Sequence, residues 1–249
     1  NFDGSEMKRF THNRSISTEP SWGYSGDRLV YTLYRGRSTH TVLAEISSSR
    51  QRLLTRFPGL NSGPALSPDG RSVALCLSRD EQVDLYVLDL ASGGVRRLTR
   101  DLAVESSPCW SPDGNRLCYV SDRAGKPQLY VISAGGGAAK RLLQDYDESV
   151  SPDWSAVSGL ICFATRTGGA YRVAVMDPEA PGEGKRILVD EAGDFEAPCW
   201  APDGRHLVCT HSRGRGRALC MVDSWTGRVL SITKPGNLSL PSWSALVGK

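Results

Sequence analysis

Long hydrophobic runs are missing from this chain: no apolar stretch approaches the roughly 20 residues of a membrane-spanning helix, so direct membrane insertion by a helix is not expected. Catalytic signatures are missing as well, with no Gly-x-Ser-x-Gly elbow, no His-Glu-x-x-His pair and no phosphate-cradling loop. Histidine is scarce: His12, His40, His206 and His211 are scattered, and the last two bracket one apolar strand at an odd separation that points them to opposite faces. No metal, no cofactor and no enzyme activity are therefore expected. Charge of one sign is lacking too, since a net charge of +3 is too small to indicate a nucleic-acid partner. An export leader is not visible at the polar opening Asn1-Phe2-Asp3-Gly4, but a cleaved leader leaves no trace.

Cys-x-x-Cys spacing is absent among the seven cysteines, and an odd number cannot all pair within one chain. Cys76, Cys118, Cys162 and Cys209 sit in apolar strand-like runs, and Cys109 and Cys199 recur in Pro-Cys-Trp. They read as small buried hydrophobes. Cys109 and Cys118 remain open to a cross-strand disulfide in an oxidising compartment.

What the chain does have is internal repetition. A Pro-x-Trp anchor followed by a Ser-Pro-Asp-Gly turn recurs from Pro20, Pro64, Pro108, Pro152, Pro198 and Pro241, at spacings of 44, 44, 44, 46 and 43 residues. Each unit reads as four strands. In the third they are Cys109–Ser111, Leu117–Ser121, Gln128–Ser133 and Lys140–Leu143, with Pro112-Asp113-Gly114 turning the first into the second. A period in the forties with four strands marks a propeller blade. Solenoid repeats are shorter, and the apolar runs show no 3.6-residue period. The fourth strands carry Lys8-Arg9, Arg50 with Arg52, Arg96-Arg97, Lys140-Arg141 and Lys185-Arg186, as suits an outer edge that must repel edge-to-edge pairing.

The expectation is an all-β, six-bladed propeller of four-stranded blades, one domain over residues 1–249. Its last blade would be shared by 1–12 and 239–246, so that terminal strands close the ring, and a further domain is expected upstream. Loops entering the innermost strands would gather at one mouth of the channel. There they carry Glu19, Asn61, Ser62, Glu105, Ser106, Glu148 and Glu196, each within four residues of its blade's proline. Solvated loop charge is the plain alternative to a partner-binding rim.

The Ser-Pro-Asp-Gly repeats, the run from Phe57 to Gly70, the strand Leu85-Tyr86-Val87-Leu88-Asp89-Leu90 and the ending Pro241-Ser242-Trp243-Ser244 resemble the C-terminal propeller of the TolB family of the Tol–Pal system, a PD40 or WD40-like repeat. The resemblance implies a non-catalytic, monomeric, periplasmic scaffold for protein binding that serves outer-membrane integrity and cell division. It implies a Pal-like lipoprotein at the channel mouth and a TolA-like partner through a region not in this chain. It also implies that the loops Leu60-Asn61-Ser62-Gly63 and Val104-Glu105-Ser106 contact Pal, with Leu60 standing where the family carries a polar residue. The substrate-gating propeller of a serine peptidase remains the other reading, because similar repeats occur there.

Buried, unpaired thiols lead to a direct expectation. Titration of the denatured protein without reductant should find at least five reactive groups. A count of one would mean three disulfides and end the buried-hydrophobe reading.

Overall fold

The turn between the first and second strands shows why the repeat needs its four residues. Ser67 Oγ donates to Asp69 Oδ1 at 2.6 Å, the same oxygen accepts the Arg71 N–H at 3.0 Å, and Gly70 N–H returns to the Ser67 carbonyl at 2.9 Å. Gly70 sits at φ +67°, a region that glycine enters without steric cost. Ser111, Asp113 and Gly114 repeat this geometry, with Ser111 Oγ donating to Asp113 at 2.5 Å. In the degraded fourth copy, Ser155 Oγ accepts the N–H groups of Val157 and Ser158 instead.

The computed structural model describes residues 9–11, 15–79, 82–145, 147–236 and 238–244. Each such turn opens a four-stranded antiparallel sheet. The first holds β1 (Ser17–Trp22), β2 (Arg28–Arg35), β3 (Ser38–Glu45) and β4 (Arg50–Leu53). The second holds β5 (Asn61–Leu66), β6 (Ser72–Leu77), β7 (Asp84–Asp89) and β8 (Val95–Arg97). In the third are β9 (Glu105–Trp110), β10 (Arg116–Ser121), β11 (Gln128–Ser133) and β12 (Lys140–Arg141). The fourth comprises β13 (Ser149–Trp154), β14 (Ile161–Thr167), β15 (Ala170–Met176) and β16 (Arg186–Ile187). The fifth comprises β17 (Asp194–Trp200), β18 (His206–Arg213), β19 (Gly216–Asp223) and β20 (Val229–Ser231). Among the described residues, one short 3-10 turn at Pro181–Glu183 is the only helical element, and no helix is long and apolar enough to cross a membrane.

The blade count of six is corrected to five. Of the sixth repeat the described segment is Leu238–Ser244, which forms no strand. It hangs on the fifth blade, where Leu240 N–H reaches Thr210 Oγ1 at 3.2 Å and Trp243 N–H reaches Cys199 Sγ at 3.4 Å. A strand needs a ladder partner along its length, and none of the described residues supplies one there. Most of 1–12, expected to share this blade, lies outside the described residues, and Arg9–Thr11 form no strand.

The innermost strands also start earlier than expected, because proline lies inside them. In β9 the strand runs from Glu105, and Pro108 is accommodated by a bulge. The residue before each proline takes a left-handed conformation: Glu19 at φ 53°, Gly63 at 58°, Ser107 at 48°, Ser151 at 52°, Ala197 at 48° and Leu240 at 54°. Proline offers no N–H to the ladder, so the strand must step past it.

The repeated tryptophans sit where neighbouring blades meet. Trp110 packs with Ala65, Ala74 and Leu85 of the second blade and Leu117 and Tyr119 of its own, and its Nε1 donates to the Ala65 carbonyl at 2.9 Å. Trp154 and Trp200 hold the corresponding places between the third and fourth, and fourth and fifth, blades. Trp22 and Trp243 are half-buried. All seven cysteines are free, six of them buried.

Trp110→Ala should therefore cost about 3–5 kcal/mol in denaturant unfolding, as a large buried aromatic does. Trp225→Ala, on a residue 72% exposed, should change stability by no more than about 0.5 kcal/mol. Equal costs at the two sites would contradict this packing.

Candidate functional site

Strand pairing decides which loops share a face. Because β1 runs antiparallel to β2 with Ser17 opposite Leu33, the start of each innermost strand lies beside the turn joining second and third strands. Asn61 opposite Leu77, Ser149 opposite Thr165 and Asp194 opposite Ser212 repeat the arrangement. This is the mouth face; the Ser-Pro-Asp-Gly turns lie on the other. The channel between them, about 150 Å³, is lined by the residues flanking each proline, from Glu19-Pro20-Ser21 round to Leu240-Pro241-Ser242.

The expected rim carboxylates do not share one destination. Counted back from their prolines, Glu19 is one residue away, Glu196 two, Glu105 three and Glu148 four, and side chains alternate along a strand. Glu19 turns into the ring, where its Oε2 accepts from Thr32 Oγ1 at 2.7 Å and from the Gly63 N–H at 2.9 Å, joining the first blade to the second. Glu148 accepts from the Tyr171 hydroxyl and lies 3.9 Å from Arg166. Burial, with help from Glu148, pushes the Tyr171 phenol up to about 12. Glu196 stays at the mouth, in an open pocket of about 690 Å³ between the fourth and fifth blades.

Glu105, expected among the partner-binding carboxylates of the open rim, is buried. Its Oε1 accepts from Arg123 at 2.9 Å and Ser121 at 3.2 Å, while Oε2 has no hydrogen-bond partner among the described residues. Desolvation raises its carboxyl to about 8, against the opposing pull of the Arg123 guanidinium. Asn61 is buried too, giving its side-chain N–H to the Phe57 and Gly59 carbonyls and its backbone N–H to Thr39 of the first blade. Ser62, Gly63 and Ser106 lie half-buried along the first strands, and Leu60 is half-buried with its N–H on Ser78 Oγ at 2.8 Å. Val104 is 52% exposed, its N–H held by Asp122.

Several mouth-face residues were not anticipated. Ile16 and Leu102 are 69% and 92% exposed, and with Val104 they put three open apolar side chains on the loops entering the first and third blades. Ile16 and Leu102 lie four and six residues before Pro20 and Pro108, in the same loops as the expected rim residues. Asp153, deep in the channel, accepts the Trp200 N–H at 2.7 Å and links the fourth blade to the fifth; burial raises its carboxyl. The outer cations also do more than guard an edge. Arg97 pairs with buried Asp84 at 2.5 Å, and Lys185 reaches Asp145 and Asp147 at 2.9 Å. Among the described residues, no group of three or more His, Cys, Asp or Glu is placed to hold a metal ion.

Residues 1–247 match the family described as the TolB beta propeller domain. The Tol-Pal system protein TolB of Francisella tularensis subsp. tularensis (strain WY96-3418) is 41% identical over 51 residues, which is 20% of this chain and 12% of that protein. The chain thus matches a small part of the curated relatives' length. TolB from Acinetobacter baumannii superposes with a TM-score of 0.85 at 26% identity, over 96% of this chain and 60% of that one. A Mycobacterium tuberculosis puromycin-hydrolyzing peptidase shares the fold, with a TM-score of 0.67 at 17% identity, over 88% of this chain and 38% of that one.

The burial of Glu105 has a pH signature. Its folded value lies above the ordinary 4.5, so the unfolded chain releases this proton first, and its contribution to stability falls as pH rises from 4.5 to about 8. Glu105→Gln should remove that slope, so the wild type should lose ground to the variant over this window in thermal melts. Parallel pH profiles would place Glu105 in solvent.

Proposed function

The chain belongs to the TolB β-propeller domain family, and on that footing we propose that it is a non-catalytic docking module of a Tol–Pal system whose mouth face holds a Pal-type lipoprotein. The observation that carries the reading is the open apolar set on that face: Ile16, Leu102 and Val104, beside half-buried Leu60. Apolar side chains on loops anchored to a rigid ring suit a protein partner, since the energetic centre of an interface is apolar and its edge polar. Val104 belongs to one of the two loops that the family resemblance assigns to Pal, and Leu60 opens the other. The polar remainder, Glu148, Glu196 and the neighbouring arginines, would then form the outer margin and steer association. The working place would be the periplasm, and a TolA-like partner would engage a region outside this chain.

A second reading, the substrate-gating propeller of a serine peptidase, is supported by the shared fold with the puromycin-hydrolyzing peptidase. At 17% identity that likeness concerns the fold alone.

The test is binding to surface-immobilised Pal from the same organism. Leu102→Asp with Val104→Asp should weaken binding about tenfold or more, equivalent to at least about 1.4 kcal/mol, while the melting temperature stays put because both side chains are exposed. Arg50→Gln on the outer edge should have no effect. Failure of the wild type to bind Pal would sink this assignment and favour the peptidase-gate reading.

A further inference from the structure

A second feature of the mouth face is basic, and neither turn chemistry nor packing calls for it. The residue fifteen places after each blade's proline is Arg35, Arg79, Arg123 and Arg213 in four blades, and the fourth blade has Arg166 one place earlier. In the middle three blades this arginine is tethered. Arg79 lies over Phe57 at 5.1 Å, Arg123 over Tyr130 at 4.5 Å with Glu105 in an ion pair, and Arg166 over Tyr171 at 5.8 Å. In the first and fifth blades it is free and multiplied.

Those two hairpins read Arg35-Gly36-Arg37 and Arg213-Gly214-Arg215-Gly216-Arg217. Arg35 pairs with Ser38 and Arg213 with Gly216, leaving two-residue loops that each begin with a glycine, at φ +64° and +63°. Such a turn needs only the leading glycine. The five arginines are exposed, and no described residue supplies a side-chain partner to any of them. A sixth cation joins them: the Lys234-Pro235-Gly236 segment is bound to the fifth-blade hairpin by Arg217 N–H to Gly236 O at 3.1 Å and the reverse bond at 2.7 Å. Gly216 is required there, since a Cβ would stand 2.9 Å from Pro235 Cβ. The two hairpins flank the place where the proline segment Leu240–Ser242 completes the channel lining.

We propose that the hairpin arginines of the fifth and first blades form a recognition site for an acidic polypeptide segment. It is different in chemistry from the apolar loops although it adjoins one of them, where the Ile16 carbonyl accepts the Tyr34 N–H at 2.9 Å beside Arg35. The pocket beside the fifth-blade hairpin gives the site depth. Arg166, Arg215 and Arg217 converge there with Tyr171, Asp194 and Glu196 around about 690 Å³. Asp194 is engaged by the Tyr171 N–H at 2.8 Å, whereas Glu196 faces the opening without a partner among the described residues. A carboxylate amid arginines repels a uniformly anionic surface such as a lipid bilayer or a nucleic-acid backbone. A polypeptide can set its own carboxylates against the guanidinium forks, which bind them bidentately, and place a neutral or hydrogen-bonding group opposite Glu196. The concavity also suits an extended segment better than a flat membrane.

The probe is a fluorescein-labelled peptide of alternating glutamate and glycine, titrated at low and physiological ionic strength, with no Pal present. Saturable binding that weakens with salt is expected. Joint replacement Arg213→Gln, Arg215→Gln and Arg217→Gln should raise Kd about tenfold, Arg35→Gln with Arg37→Gln should raise it less, and Glu196→Gln should lower it. Melting temperatures should be unchanged, since none of these side chains holds the fold together. Arg50→Gln, Arg52→Gln and Arg71→Gln remove the same charge elsewhere and should leave Kd alone. Equal weakening by that control would reduce the effect to net charge and overturn the proposal. So would tighter binding of phosphatidylglycerol vesicles or oligothymidylate than of the peptide, or no response to Glu196→Gln. Peptide binding without Pal binding would remove the docking reading and leave this one standing; Pal binding without peptide binding would do the reverse.

Discussion

A four-stranded sheet with apolar side chains on both faces cannot stand alone in water, and every other feature of this molecule follows from that. In β6, Val73 packs towards Val30 and Leu43 of the first blade, while its sequence neighbour Ala74 packs towards Trp110 and Leu117 of the third. Exposing either face would forfeit roughly 25 cal/mol for each Å² of apolar surface. Each blade therefore needs a neighbour. The second, third and fourth blades pack against one on each side, whereas the outer cluster of the first blade, Leu29, Tyr31, Val42 and Ala44, packs only against first-blade residues among the described ones. With both faces of the middle strands committed to packing, as in β6 and β10, polar chemistry is pushed to the outer edges and the two rims, where turns and strand starts meet solvent.

Much of this was legible. The proline spacing announced four-stranded units, and third-blade strands such as Gln128–Ser133 fall where turn residues place them. The blade number was not, because an anchor motif marks the beginning of a repeat and says nothing about whether three more strands follow. Pro241 has the motif of Pro108 without a partner strand among the described residues. The early start of the inner strands was hidden for a related reason: proline reads as a strand boundary, yet a left-handed residue before it lets the ladder resume on the far side.

The rim was misread through distance. Four glutamates within four residues of a proline look equivalent on paper, but the two-residue pleat sends neighbours to opposite sides. Glu19 and Glu105 became internal fastenings, accepting from Gly63 and Arg123, and Glu196 stayed outside. Counting forward from the same prolines finds the hairpin arginines, whose uneven tethering becomes visible only when Phe57, Tyr130 and Tyr171 are seen beside three of them.

The fastenings between blades run between successive repeats. Glu19 and Arg28 reach from the first blade into the second, Arg96 from the second into the third, Arg116 from the third into the fourth, and Arg186 and Asp153 join the fourth to the fifth. Nearly all of this wiring spans about one repeat of chain, so the molecule resembles a linear array bent into a circle. Arrays of that kind gain order by propagation from neighbour to neighbour, and short sequence separation keeps the entropic cost of each added unit small. Assembly can advance one blade at a time from either direction, and the slow event is the single long-range one: bringing the trailing proline segment Leu240-Pro241-Ser242 round to line the channel with Glu19-Pro20-Ser21.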